Sequence, residues 1–101
     1  MATPTVANTI EKVKEILKID GAWYDSELTT MINASMSKLD NEGVTHAKID
    51  VDDEMLFSDY ILCIATHVAQ EIDLGIDIKN LMNQYLQRVQ TLRLKVSTIE
   101  L

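Results

Sequence analysis

Apolar side chains return every three or four residues in four blocks of this chain, the spacing that gathers them on one face of an α-helix. In the first block Ile10, Val13, Ile16 and Leu17 share a face, predicting a helix over Asn8 to Lys18. Asn8 is placed to cap it, with Glu11 three residues on to complete a capping box, and Gly21 stops it. The second block starts beside Asp25 or Ser26 and ends near Glu42, with Leu28, Met31, Ile32, Ser35, Met36 and Leu39 along one stripe. Gly43 then falls where a helix end favours left-handed backbone. Ala34, Ser35 and Ser37 are small enough for another backbone to approach closely. The third helix is expected over Glu54 to Leu74, closed by Gly75. There Tyr60 to Ala65 are apolar in succession, hence on every side, which places this helix in the middle of the fold. The fourth begins near Asp77. Ile78, Met82, Tyr85, Val89, Leu92, Val96 and Ile99 recur at spacings 4-3-4-3-4-3, an unbroken heptad stripe.

The pattern predicts an all-α fold, a small bundle of four helices with a long C-terminal helix. Residues 1–7, with Pro4 and small polar neighbours, are expected as a flexible arm, and 8–101 as a single helical domain. Gly43 to Asp53 reads as a polar connector in which Ile49 and Val51 alternate with acids, as a short extended stretch would. A helix from Asp77 to the last residue would reach roughly 36 Å at 1.5 Å per residue. The first two helices are too short to cover it. Antiparallel packing on the third helix accounts for the first half of the fourth, while residues 86–101 are expected to project as an interaction segment and to finish folding against other protein.

Composition narrows the class further. A chain of 101 residues with a formal charge of −7 has room for one core only. Three Gly and one Pro leave few turns, which favours long helices over many short strands. The longest apolar run, Tyr60 to Ala65, is far short of a membrane span. No basic segment followed by an apolar one opens the chain, so no secretory signal is read. Cys63 stands alone and cannot form an internal disulfide, which fits a reducing compartment. Nine Lys and Arg against sixteen Asp and Glu argue against a binder of nucleic-acid phosphates. The charge is also unevenly placed. Asp50 to Asp77 holds eight acids and no Lys or Arg, whereas Tyr85 to Leu101 holds Arg88, Arg93 and Lys95 against Glu100. One copy's basic end could thus meet another copy's acidic middle, or a separate acidic partner.

Catalytic and metal motifs fail on inspection. Asp50-Val51-Asp52-Asp53-Glu54 looks like the start of a calcium loop, but the sixth and twelfth positions are Met55 and Ile61, not Gly and an acid. His67 and Glu71 stand at i and i+4, a spacing that can chelate zinc, yet two ligands do not close a site. Cys63 has no base within a helical turn to activate it. Phosphate loops, nucleophile elbows and CxxC pairs are missing from the sequence. Neither catalysis nor a cofactor or metal is expected.

Three segments resemble a known family. Val13-Lys14-Glu15-Ile16-Leu17-Lys18-Ile19-Asp20 is similar to the opening of bacteriophage head-tail connector proteins, the adaptor or head-completion proteins of long-tailed phages. Asp25 to Leu39 looks like that family's second helix, with Leu28, Ile32, Ala34 and Leu39 in its apolar or small places. Tyr60-Ile61-Leu62-Cys63-Ile64-Ala65-Thr66-His67 is similar to its third, an apolar run leading to a histidine. The resemblance covers Ile10 to Ile72. Val68 and Ala69 depart from it where an aromatic commonly follows, and Gln70 to Asp73 lacks the usual base.

The resemblance implies a structural virion assembly protein of the head-tail interface, assembled in the bacterial cytoplasm. Its partners would be further copies of itself in a ring, commonly twelve-fold, the portal protein, and a stopper or tail-completion protein. DNA would pass through the channel without sequence-specific binding. Under that reading Arg88 to Leu101 contacts the portal or a neighbouring subunit. Val89, Leu92, Val96 and Ile99 supply apolar contact there, while Arg88, Arg93 and Lys95 steer. Trp23 and Tyr24 form a second candidate contact, since aromatics are enriched at interface centres, or else anchor their loop over the core. Two other classes share the composition: a cytoplasmic helical dimerisation or regulatory module, and a small metal-dependent enzyme built on His67 and Glu71.

Overall fold

Helix ends need partners for their unpaired backbone groups, and those partners set the boundaries observed. A computed structural model of the chain describes residues 2–22 and 24–99, except the side chains of 98 and 99. The elements are α1 (Val6–Leu17), α2 (Asp25–Asn41), a 3-10 turn (His46–Lys48), α3 (Glu54–Glu71) and α4 (Lys79–Ile99). Among the described residues there is no strand, so the fold is the expected all-α bundle with a long last helix.

The first helix starts earlier than its periodicity suggests. Thr5, not Asn8, is the cap: its hydroxyl accepts from the Asn8 N–H at 3.2 Å, and the Asn8 side chain accepts from the Thr5 N–H at 2.8 Å. Asn8 therefore takes the reciprocal place in the capping box, where Glu or Gln is usual. The flexible arm expected over residues 1–7 is corrected for its described part. Val6 and Ala7 are helical, Pro4 is buried, and the Ala2 carbonyl accepts the Val51 N–H at 3.0 Å. Of the short extended stretch expected around Ile49 and Val51, Ile49 has extended backbone and Val51 lies in a turn. Lys18 ends α1 in the left-handed conformation. The next loop is clasped by buried Lys14, whose ammonium donates to the Gly21 carbonyl at 2.9 Å and pairs with Asp25. That hydrogen-bonded pairing with Asp25 raises the lysine's pKa.

Helix α3 is the axis on which α1, α2 and α4 all pack. Its Leu56, Tyr60, Ile61, Cys63, Ile64, Ala65 and Val68 are all buried, as an apolar run without a polar face requires. Asp53 caps it by accepting the Leu56 N–H at 3.2 Å, and the Asp50 side chain accepts the Asp52 N–H at 3.0 Å. The calcium-like acids thus include two that hold a turn and a helix start. The helix stops at Glu71, three residues short of Leu74, because Ile72 turns extended. Tyr60 is fully buried, and its hydroxyl has no hydrogen-bond partner among the described residues. Burial also raises its pKa strongly. An unpaired buried hydroxyl destabilises, so Tyr60→Phe is expected to gain about 1 kcal/mol, read as a thermal midpoint several degrees higher.

Helix α4 runs back along α3, with Tyr85 beside His67 and Arg88 sharing a surface with Asp59. Here the structure corrects the expected projecting segment for its described part; residues 100 and 101 lie outside the described residues. Val89, Leu92 and Val96 are 3%, 0% and 4% exposed, so this part of the heptad stripe closes the chain's own core. The cover comes from α3, along which α4 packs. The Cα radius of gyration, 12.9 Å, matches the about 13 Å of a compact chain of this length.

Candidate docking surface

Burying one stripe of α4 leaves its other side to solvent, and among the polar residues of that side three apolar ones stand out. Leu86 and Leu94 are 71% and 70% exposed, and Met82 is 48% exposed. None of the two leucines belongs to the heptad stripe, so a search for the strongest periodicity passes over them. A leucine off the core-facing stripe, Leu86 on its flank and Leu94 across the helix from it, is the signal that could have found them. On α3, Met55 is exposed in the same way.

The residues expected to form the contact are divided by the fold. Val89, Leu92 and Val96 are interior and cannot meet a partner while α4 is docked. This corrects their assignment. The Ile99 side chain, and Trp23 altogether, lie outside the described residues. Tyr24, exposed at the start of α2, lines a hollow with Leu17 and Leu74 that takes in neither Leu86 nor Leu94. Arg88 is half-buried and donates to the Gln84 side chain at 2.6 Å. Arg93 is exposed, and its Nε donates to the Glu42 carbonyl, so it closes the end of α2 as well as charging the surface. Gly43 beside it has a φ of +89°, and a Cβ there would stand 3.5 Å from the same nitrogen. Lys95 is half-buried and already engaged with its surroundings.

A buried polar chain fixes how α4 sits. The Ser35 hydroxyl from α2 meets His67 Nδ1 at 2.6 Å, and His67 Nε2 meets the Tyr85 hydroxyl at 2.6 Å. Tyr85 in turn donates to Glu42 Oε2 at 2.9 Å. Since Tyr85 gives its proton to Glu42, its oxygen accepts from Nε2–H, and Nδ1 accepts from Ser35. One neutral tautomer of His67 satisfies every bond. Burial lowers the His67 pKa, with the Lys38 charge acting in the same direction and Glu42 and Glu71 opposing. Burial likewise raises that of Tyr85, helped by its bond to Glu42. The i, i+4 pair of His67 and Glu71 is therefore no chelate: both ring nitrogens already serve α2 and α4. Among the described residues no three His, Cys, Asp or Glu converge to hold an ion. Burial pushes the Cys63 thiol up to about 12, which makes it a core group and not a nucleophile.

Charge sets the two outer surfaces apart. Lys79 to Ile99 contains Lys79, Arg88, Arg93 and Lys95 and no acid. Asp50 to Asp59 contains five acids and no base. An all-helical unit whose polar interior is structural, and whose exposed leucines lie on a basic helix, has the make-up of an assembly protein.

Comparison with known families gives that class a name. The family model described as phage connector protein matches residues 9–99, nearly the whole chain, and the chain belongs to this family. Membership makes it a structural component of phage particles that connects with other head or tail proteins. No curated protein and no solved structure matches it. Among the described residues no helix is long and apolar enough to cross a membrane.

Proposed function

We propose that this chain forms a ring beneath the portal of a filled phage head, extends the DNA channel and offers the docking face for a stopper or tail-completion protein. The observation that carries the reading is the match to the phage connector family over residues 9–99. A ring subunit needs a rigid body and an outward contact. The core packed around α3 suits the first, and the exposed leucines of α4 suit the second. Channel walls must let DNA slide, and a chain with a net charge of −7 offers phosphates no strong hold. The protein acts without catalysis or cofactor, first in the host cytoplasm and then in the virion. Twelve copies, as is common for head-tail connectors, would complete the ring.

Deletion of the gene tests this in the phage itself. The expected result is full-sized heads and separate tails that fail to join, restored to infectious particles when the chain is supplied in trans. Normal tailed particles without the chain would refute the assignment.

A further inference from the structure

The same molecule carries two surfaces on which apolar side chains stand among charges of opposite net sign. One is the groove between α1 and α3, floored by Ile16, Phe57 and Ile61 and rimmed by Glu15 and Glu54. Lys12 enters this rim with its ammonium 5.9 Å from the Phe57 ring centre, and the exposed Met55 stands alongside on the acid-rich start of α3. The other is the outer edge of α4, where Met82, Leu86 and Leu94 emerge beside Arg93 on a helix that has four bases and no acid.

We propose that the outer edge of α4 in one copy docks into the α1–α3 groove of the next copy. Two α4 edges cannot meet each other well, because bases would face bases. Two grooves, each with Glu15 and Glu54 against the single Lys12, set more acid against acid than against base. The pairing that matches apolar to apolar and base to acid joins unlike surfaces, hence head to tail. Each added copy then presents one unused edge and one unused groove, so the contact propagates and closes into a ring where the rotation permits. Arg93 is held at a set position by the Glu42 carbonyl, which lets it approach Glu54 or Glu15 of the neighbour without first being ordered. The proposal rests on the ring reading above and specifies which surfaces build the ring.

Two variants with distant, exposed substitutions test it. Leu86→Asp with Leu94→Asp spoils the edge and leaves the groove intact; Glu15→Lys with Glu54→Lys does the reverse. Circular dichroism first confirms that both melt cooperatively. Sedimentation from micromolar to millimolar concentration then reads association. Unsubstituted protein is expected to form oligomers beyond a dimer, and each variant alone to associate at least about a hundredfold more weakly. An equimolar mixture of the two is expected to give a one-to-one heterodimer and nothing larger, since it retains one good edge and one good groove. The proposal is overturned by an unsubstituted chain that stays monomeric or stops at a dimer, by variants that assemble unchanged, or by a mixture that forms no heterodimer. Labelling the chain in intact particles separates the two levels. Presence at the head-tail junction, together with unaltered variants, would sink this contact alone, whereas absence from that junction would sink the connector reading.

Discussion

A chain ended after Tyr85 is expected to lose its cooperative fold. The missing segment carries Val89, Leu92 and Val96, all nearly inaccessible in the intact protein. Burying three such side chains contributes roughly 5–9 kcal/mol, which rivals the whole stability of a typical domain at about 5–15 kcal/mol. Their loss also uncovers the side of α3 on which α4 lies. A finer comparison separates the two sides of α4. Leu92→Ala should cost about 2–5 kcal/mol, as a fully buried leucine does, while Leu86→Ala should stay within about 0.5 kcal/mol, as an exposed one does. Urea unfolding followed by circular dichroism measures both. A truncated chain that still unfolds in one sharp transition would show that α4 is an accessory and not part of the core.

Removing His67 is expected to have the next largest effect, and a particular dependence on pH. His67→Ala leaves a cavity and strips the buried Ser35 hydroxyl of its partner, at a cost of about 2–4 kcal/mol. The intact protein should also weaken in mild acid. Burial holds the folded pKa of His67 below its ordinary value of 6.5. The unfolded chain therefore takes up the proton first. The stability linked to this residue is complete above about pH 6.5 and declines as the pH falls from there through the folded pKa. Lys38 near the ring strengthens the effect, and Glu42 and Glu71 moderate it. Unfolding free energies measured across that range should slope more steeply for the unsubstituted protein than for His67→Gln, which retains its other histidine, His46. Parallel slopes would mean that the imidazole is not the titrating group.

Helix existence was legible in the sequence because each block buries one stripe, and a stripe is a local, periodic property. α3 was the clearest case, since Tyr60 to Ala65 leave it no polar side. Ends were less legible. Thr5 caps α1 through a reciprocal bond to Asn8, a pairing that the nearby Asn8 and Glu11 imitate at the wrong register. The largest difference concerns α4. Its heptad stripe is genuine, but periodicity only says that a face must be covered, not by what. Packing on α3 was legible for the first half of α4; comparison with α1 and α2 suggested a partner protein for its last turns, whereas Leu92 and Val96 are also buried within the chain itself. The contact surface then moves to Leu86 and Leu94, which break the pattern. The Ser35–His67–Tyr85–Glu42 chain was illegible for a different reason. Tyr85 and Glu42 are 43 residues apart, and only the packing of three helices brings them together. The nearby Glu71 offered a local partner for His67 that the fold does not use.

A cryo-EM reconstruction of the head-tail junction in intact particles tests the central claim most directly. It should reveal copies of this four-helix body in a closed ring under the portal. Leu92 should face α3 within each copy, and Leu86 and Leu94 should meet the neighbouring copy. A junction built without this chain, or a ring in which α4 has left its own α3 to pack its Leu92 stripe on another protein, would contradict the account.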